Sequence, residues 1–255
     1  MIIIAFNPIA FSLGSLQIHW YGLMYLFGFL SAWFLATWRN KHYNLLWTEE
    51  QISDVIFYIA VGVIIGGRCG YMIFYNHQEL LHHPLSLLKI WEGGMSFHGG
   101  LLGVIVAILF FTRKVHKTFL EISDFIVPLV PLGLAYGRIG NFINGELWGR
   151  VTDVSWAMIF PSVDYLPRHP SQLYEASLEG PILLIIVWWY ANKPRPIGHI
   201  SAVFLIGYAI FRCIAEYFRE PDLQLGYLIG NWLTMGISLS IPMLLLGVYL
   251  LILKK

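Results

Sequence analysis

Long apolar runs, each closed by a short cluster of basic residues, dominate the pattern along this chain. The first run spans about Ile18 to Trp38 and ends at Arg39, Lys41 and His42. The second covers about Ile52 to Tyr75. Leu80 to Trp91 is too short and too polar to cross a bilayer and predicts a helix lying at its surface. Further runs follow at about Met95 to Thr112, Phe119 to Tyr136, Ala176 to Ala191, Ile200 to Phe218 and Leu228 to Leu253. Each of the seven is close to the roughly 20 residues that a membrane helix needs. The expected fold class is an all-α polytopic membrane protein with about seven transmembrane helices. The whole chain, 1–255, reads as a single integral membrane domain. Residues 141–174, the longest part without a spanning pattern, are expected to form a small extracytoplasmic cap.

Composition agrees with this pattern. Hydrophobic residues make up 57% of the chain and charged residues only 12%, against about 25% charged in soluble domains. Mean hydropathy is +0.65, and ten tryptophans and fourteen tyrosines suit the two interfacial belts. The N-terminal segment lacks a basic region and a cleavage site, and reads as retained and interfacial. Cys69 and Cys213 fall inside apolar runs and read as small hydrophobes. A net charge of +1 gives no field to attract nucleic acid.

The placement of the charges is more informative. Connections after the first, third, fifth and seventh runs hold Arg39, Lys41, Arg113, Lys114, Lys117, Lys193, Arg195, Lys254 and Lys255, nine of the sixteen basic residues. The positive-inside rule therefore predicts the N-terminus outside and the C-terminus inside. The remaining seven are Arg68, Lys89, Arg138, Arg150, Arg168, Arg212 and Arg219. Six are arginine, whose planar fork suits phosphate and carboxylate. Their position points to an outward-facing site for an anion, with Arg68 among the candidate binding residues.

The densest polar stretch is Gly137-Arg-Ile-Gly-Asn-Phe-Ile-Asn-Gly-Glu-Leu-Trp-Gly-Arg150. A charge in hydrocarbon costs about 2.5–3.5 kcal/mol on insertion scales, so such groups persist where they pair or line a wet cavity. Arg138 and Asn141 share a helix face if the helix continues that far. Arg212 and Glu216, four apart, can pair on one face. A purely structural pair holding two helices is the competing interpretation. His98, beside Gly99 and Gly100, could accept a proton from a closely approaching substrate. Tyr21 suits either an interfacial belt or a site. No metal-ligand spacing, phosphate loop or nucleophile elbow occurs, so the nucleophile is expected from a substrate, with no metal or cofactor. A transporter would favour symmetric broken helices, which are not found; an intramembrane protease would need a serine–histidine or metal pair, and Ser96 and His98, two apart, have no oxyanion-hole motif near.

His19-Trp-Tyr-Gly-Leu-Met-Tyr25, Gly93-Gly-Met-Ser-Phe-His-Gly-Gly100, the Gly137–Arg150 stretch, Arg168-His-Pro-Ser-Gln-Leu-Tyr-Glu175 and Phe211-Arg-Cys-Ile-Ala-Glu-Tyr-Phe-Arg-Glu-Pro-Asp222 run in order through nearly the whole chain. Together they resemble the bacterial phosphatidylglycerol–prolipoprotein diacylglyceryl transferases. The segment from Asp153 to Pro167 is shorter than in some of them. The resemblance implies an inner-membrane, multi-pass transferase with its active site toward the outer side. It further implies transfer of diacylglyceryl from phosphatidylglycerol to the lipobox cysteine thiol of a prolipoprotein signal peptide, with release of glycerol phosphate. The positions matching that family's functional residues are Tyr21, His98, Arg138, Asn141, Asn144, Glu146, Gly149, Arg212 and Glu216. The expected catalytic set is Tyr21, His98, Arg138, Glu146 and Arg212. Asn141, Asn144, Gly149, Glu216 and Arg68 join Arg138 in substrate binding.

Overall fold

The computed structural model is mainly helical and describes residues 2–14, 16–221, 226–230 and 232–253. Lys254, Lys255 and Asp222 lie outside these residues. Helices α1 (Trp20–Tyr43), α2 (Glu49–Phe74), α3 (His77–His82) and α4 (Phe97–Val115) come first. They are followed by α5 (Phe119–Ile126), α6 (Val130–Asn144), α7 (Ser171–Ser177), α8 (Leu183–Tyr190), α9 (His199–Phe218) and α10 (Met235–Ile252). Among the described residues, six helical segments are long and apolar enough to cross a membrane: α1, α2, α4, the run from α5 through α6, α9 and α10. The protein is a multi-pass membrane protein, and its surface fits that medium. Phe57, Ile65, Phe110, Trp189 and Leu245 are exposed, whereas Gln172, Glu175 and Glu179 are completely buried. Large apolar side chains thus cover the outside, as lipid favours, while a polar cluster is enclosed beside the apolar core.

Several elements differ from the sequence pattern. The fourth run does not end at Tyr136 but stays helical to Asn144, where Gly145 closes it in the left-handed conformation (φ +68°). The first half of the polar stretch is therefore helix, including residues 141–144 that were expected in the cap. Leu228–Leu253 contributes a helix only from Met235, capped by Thr234. The surface helix expected over Leu80–Trp91 is instead the short α3 and two 3₁₀ turns, Pro84–Leu88 and Ile90–Glu92. The fifth run is broken into α7, a π-helical bulge at Leu178–Ile182, and α8. Gly180 is non-helical (φ −94°, ψ −110°), and Pro181 follows it without an amide donor. A Cβ on Gly180 would come within 2.6 Å of Ala135 Cβ, so glycine permits close approach to α6. Bulges of this type concentrate at functional sites.

The chain divides into two compact units, residues 36–123 and residues 1–35 with 124–255. In the former, α2 and α4 run antiparallel through facing small residues. Gly62, Gly66 and Gly70 meet Gly103, Ala107, Gly99 and Ser96, and a Cβ on Gly62 would stand 2.6 Å from the Gly103 carbonyl oxygen. Spacing of four places each set on one face, and close backbone approach replaces the hydrophobic driving force that lipid cannot supply.

In the latter unit α9 and α10 are also antiparallel, with Gly247 against Ala202 and Ile206, and Gly236 against Arg212 and Glu216. Asp124 holds the start of α9 by accepting from the amides of Gly198 (2.6 Å) and Ser201 (2.8 Å). Short strands lie between the helices. Strand β1 (Ile2–Ile3) is followed by the antiparallel pair β2 (Ile9–Leu13) and β3 (Leu16–His19). Strand β1 pairs in parallel with β4 (Met158–Ile159), which pairs antiparallel with β5 (Pro167–Arg168).

Candidate active site

In the unit formed by residues 1–35 and 124–255, three arginine side chains converge on Glu175. The carboxylate lies in α7 and is fully buried. Its Oε1 is 2.6 Å from Arg212 Nη1 and 3.6 Å from Arg219 Nη1, and its Oε2 is 3.1 Å from Arg138 Nη1. Arg138 also donates from Nε to Glu179 Oε2 at 3.2 Å. Arg212 Nη2 lies 2.5 Å from Glu216 Oε2, and Thr234 Oγ1 donates to Glu216 Oε1 at 2.7 Å. Three guanidinium groups therefore face three carboxylates in a largely water-free setting. Burying such charges is tolerable only when each finds partners.

Each charge reaches this cluster for a local reason. Helix α6 continues to Asn144, so Arg138 projects from a rigid helix toward α7 and the bulge. Glu175 and Glu179 are four residues apart, which places both carboxylates on one face of the broken helix. Gly236 leaves the space that the Arg212–Glu216 pair fills, since a Cβ there would stand 2.8 Å from Glu216 Oε2 and 2.9 Å from Arg212 Nη2.

A second polar group surrounds the end of α6. Gly145 and Leu147 both take positive φ (+68° and +57°), and this tight turn brings Glu146 back over the last helical turn. Glu146 accepts from Asn141 Nδ2 at 3.2 Å and from Asn144 Nδ2 at 3.4 Å. The Gln172 amide donates to the Glu146 carbonyl oxygen at 2.6 Å, tying the turn to the start of α7. Tyr21 packs on α6 over Gly140, whose missing Cβ would stand 2.8 Å from the Tyr21 ring. The Tyr21 and Tyr25 rings meet edge to face at 5.2 Å.

Gly149 occupies a crossing of three segments. Its amide donates to the His169 carbonyl oxygen (3.0 Å), its carbonyl accepts from Arg168 Nη1 (3.1 Å), and a side chain would meet Phe218 O at 2.8 Å. Nearby, the Arg168 guanidinium, donating to Asp164, holds that carboxyl below its ordinary range. Loss of hydration pushes the His169 imidazole below its ordinary value, so it is neutral at pH 7. His169 lies against the Tyr174 and Phe218 rings, and Tyr174 receives a hydrogen bond from Trp156 Nε1 at 2.6 Å.

Arg68 and His98 belong to the unit of residues 36–123. Arg68 is buried, and its guanidinium donates to backbone carbonyls of Ser86 (2.6 Å), Leu87 (3.3 Å), Gly93 and Gly94 (3.4 Å). It fastens the 3₁₀ segment that precedes α4. His98 stands exposed in the first turn of α4, with its ring against Phe97, on a helix start capped by Ser96.

Of the ten residues expected from sequence, the unit of residues 1–35 and 124–255 brings Arg138, Arg212 and Glu216 into one ionic cluster. It gathers Tyr21, Asn141, Asn144 and Glu146 around the end of α6. The sequence reading missed Glu175, Glu179, Arg219, Thr234 and Gly236. Glu179 carried a signal, since a carboxylate inside an apolar run calls for a partner. Arg219 had been grouped with the anion-facing arginines without a role. Thr234 and Gly236 carried none, because the charges they serve are distant in sequence.

Comparison with known proteins supports the same assignment. The sequence model of the prolipoprotein diacylglyceryl transferase family matches residues 8–253. A phosphatidylglycerol–prolipoprotein diacylglyceryl transferase of Legionella pneumophila (strain Lens) is 68% identical over 244 residues, covering 96% of this chain and 95% of the relative. Its counterpart in Coxiella burnetii (strain Dugway 5J108-111) is 57% identical over 241 residues, covering 94% and 92%. With a buried arginine–carboxylate cluster on a multi-pass helical frame and similarity of this extent, the chain belongs to the prolipoprotein diacylglyceryl transferase family.

Proposed function

We propose that this transferase moves the diacylglyceryl group of phosphatidylglycerol to the lipobox cysteine thiol of a prolipoprotein, the first step of lipoprotein maturation. The observation that carries this reading is the pair Arg138 and Arg212, held on opposite oxygens of one buried carboxylate at 3.1 and 2.6 Å. Two cations kept together away from water suit a phosphodiester, which offers oxygens to both. Sulfur attacks the glycerol carbon and the carbon–oxygen bond breaks. The bonding pair passes to a phosphate oxygen, which leaves as glycerol phosphate. Arg138 and Arg212 stabilise the charge that develops there. The thiol is a poor nucleophile until it loses its proton, and the acceptor in this scheme is His98 or a carboxylate. Tyr21, Asn141, Asn144, Glu146, Gly149 and Glu216 complete the site, with Arg68 ordering the segment before α4.

The same reading supplies the topology. The seven runs cross the bacterial inner membrane within one integral domain, the broken fifth run, α7 through α8, adding one crossing to the six continuous ones. Irregular backbone is tolerated at membrane depth where protein covers it. Basic residues flanking alternate spans support the N-terminus outside, with the cap and active site on the outer face. A Lys114→Cys protein should resist impermeant thiol reagents in intact cells, on a background without Cys69 and Cys213. Labelling there would reverse the orientation.

Purified protein incubated with phosphatidylglycerol and a lipobox peptide should yield a thioether-linked diacylglyceryl peptide. Replacement of the donor by zwitterionic phosphatidylethanolamine should leave almost no product. A folded preparation that forms none with phosphatidylglycerol, or equal amounts with both lipids, overturns the proposal.

A further inference from the structure

One member of the ionic cluster is only half satisfied. Glu179 is completely buried, its Oε2 receives Arg138 Nε at 3.2 Å, and its Oε1 has no hydrogen-bond partner among the described residues. Glu175 Oε2 and Glu216 Oε2 also accept no well-formed hydrogen bond, but each has a guanidinium nitrogen against it, at 3.1 and 2.5 Å, a partner that Glu179 Oε1 lacks. Glu179 sits on the π-helical bulge, where the backbone is irregular. The titratable and charged groups around it are Arg138 from α6, Glu175 from α7, and Tyr208 and Arg212 from α9. The adjoining turns of α8 offer Leu183, Leu184, Ile185 and Ile186, all apolar.

Charge balance gives this detail a consequence. With every group ionised, Arg138, Arg212 and Arg219 offset Glu175, Glu179 and Glu216, three charges against three. A phosphodiester monoanion at Arg138 and Arg212 adds one uncompensated negative charge where water cannot screen it. An added anion favours the neutral form of the nearest carboxylate, most strongly the one with fewest donors. We infer that Glu179 takes up a proton when the anionic headgroup of the donor lipid occupies the arginine pair, so that donor binding is proton-coupled. The inference rests on the functional reading above. One proton enters from solvent as lipid binds, converting carboxylate to carboxylic acid. It departs with the phosphate product or returns to solvent when the site empties. The thiol proton follows its own route through the base.

The test uses the full chain in zwitterionic nanodiscs. Calorimetric titration with phosphatidylglycerol, in two buffers of different ionisation heat, reads protons taken up per lipid bound. The wild type should take up about one, and Glu179→Gln should bind the lipid yet take up none. Infrared difference spectra should show a protonated carboxyl band on lipid addition that shifts when glutamate is ¹³C-labelled. That band needs no variant, so the inference stays testable if Glu179→Gln does not fold. Lipid binding without proton uptake, without the labelled band, or with uptake unchanged in Glu179→Gln refutes the inference while leaving the functional reading intact. Failure of the wild type to bind phosphatidylglycerol at all sinks both.

Discussion

Replacing Glu175 by glutamine keeps the shape of the side chain and deletes the charge that three guanidiniums share. Arg212, Arg138 and Arg219 would then face one another around a neutral amide, at the separations of 2.6, 3.1 and 3.6 Å now spanned by carboxylate. Removing one partner from a buried ionic group typically costs about 3–5 kcal/mol. Glutamine still offers one carbonyl acceptor, and a hydrogen bond to a charged group is worth about 1.5–3 kcal/mol. The expected net destabilisation is therefore about 2 kcal/mol, a large share of a total near 5–15 kcal/mol. The variant should fold, with a lowered unfolding midpoint in mild detergent. An anionic lipid headgroup supplies the missing charge, so phosphatidylglycerol should stabilise Glu175→Gln by at least about 1.4 kcal/mol more than wild type, a tenfold tighter apparent affinity. Phosphatidylethanolamine should give no such recovery. Wild-type stability within about 0.5 kcal/mol, or equal recovery with both lipids, would refute Glu175 as the hub of the cluster.

Other consequences are open to direct measurement. His98→Gln should fold and bind lipid but transfer about 10²–10⁴-fold more slowly, with the defect shrinking as pH rises and the thiol ionises unaided; a loss below about threefold rules out a proton-accepting role. Arg212→Lys should be abundant yet badly impaired, since an ammonium cannot span Glu175 and Glu216 as the guanidinium fork does. Arg212→Met with Glu216→Leu removes a charge pair together and should be tolerated in the membrane yet inactive, whereas near-normal transfer would leave Arg138 as the leading phosphate contact. Gly103→Val should separate α2 from α4, because even a Cβ there falls inside contact distance of the Gly62 carbonyl. The expected loss is about 1–3 kcal/mol, and unchanged unfolding would discount the glycine interface.

The membrane class and the rough places of six spans follow from local composition, and so are legible along the chain. An apolar run of about twenty residues has few alternatives to a membrane helix, because its own backbone satisfies its hydrogen bonds. Arg138, Arg212 and Glu216 stood out for a related reason, as charges in apolar runs that demand partners. Which partners they have is a tertiary matter. Nothing local to Arg138 or Arg212 indicates that both meet Glu175, 37 residues from each along the chain, or that Gly236 makes room for the Arg212–Glu216 pair. The sequence likewise ended the fourth span at Tyr136, because polarity rises there. The helix in fact continues to Asn144, its polar residues turned toward Glu146 and the buried carboxylates. The break at Gly180 and Pro181 has the same origin: it is tolerated because neighbouring helices cover it, and Gly180 is required because Ala135 lies against it. Sequence reports what each segment needs from its surroundings, and only packing decides which distant segment provides it.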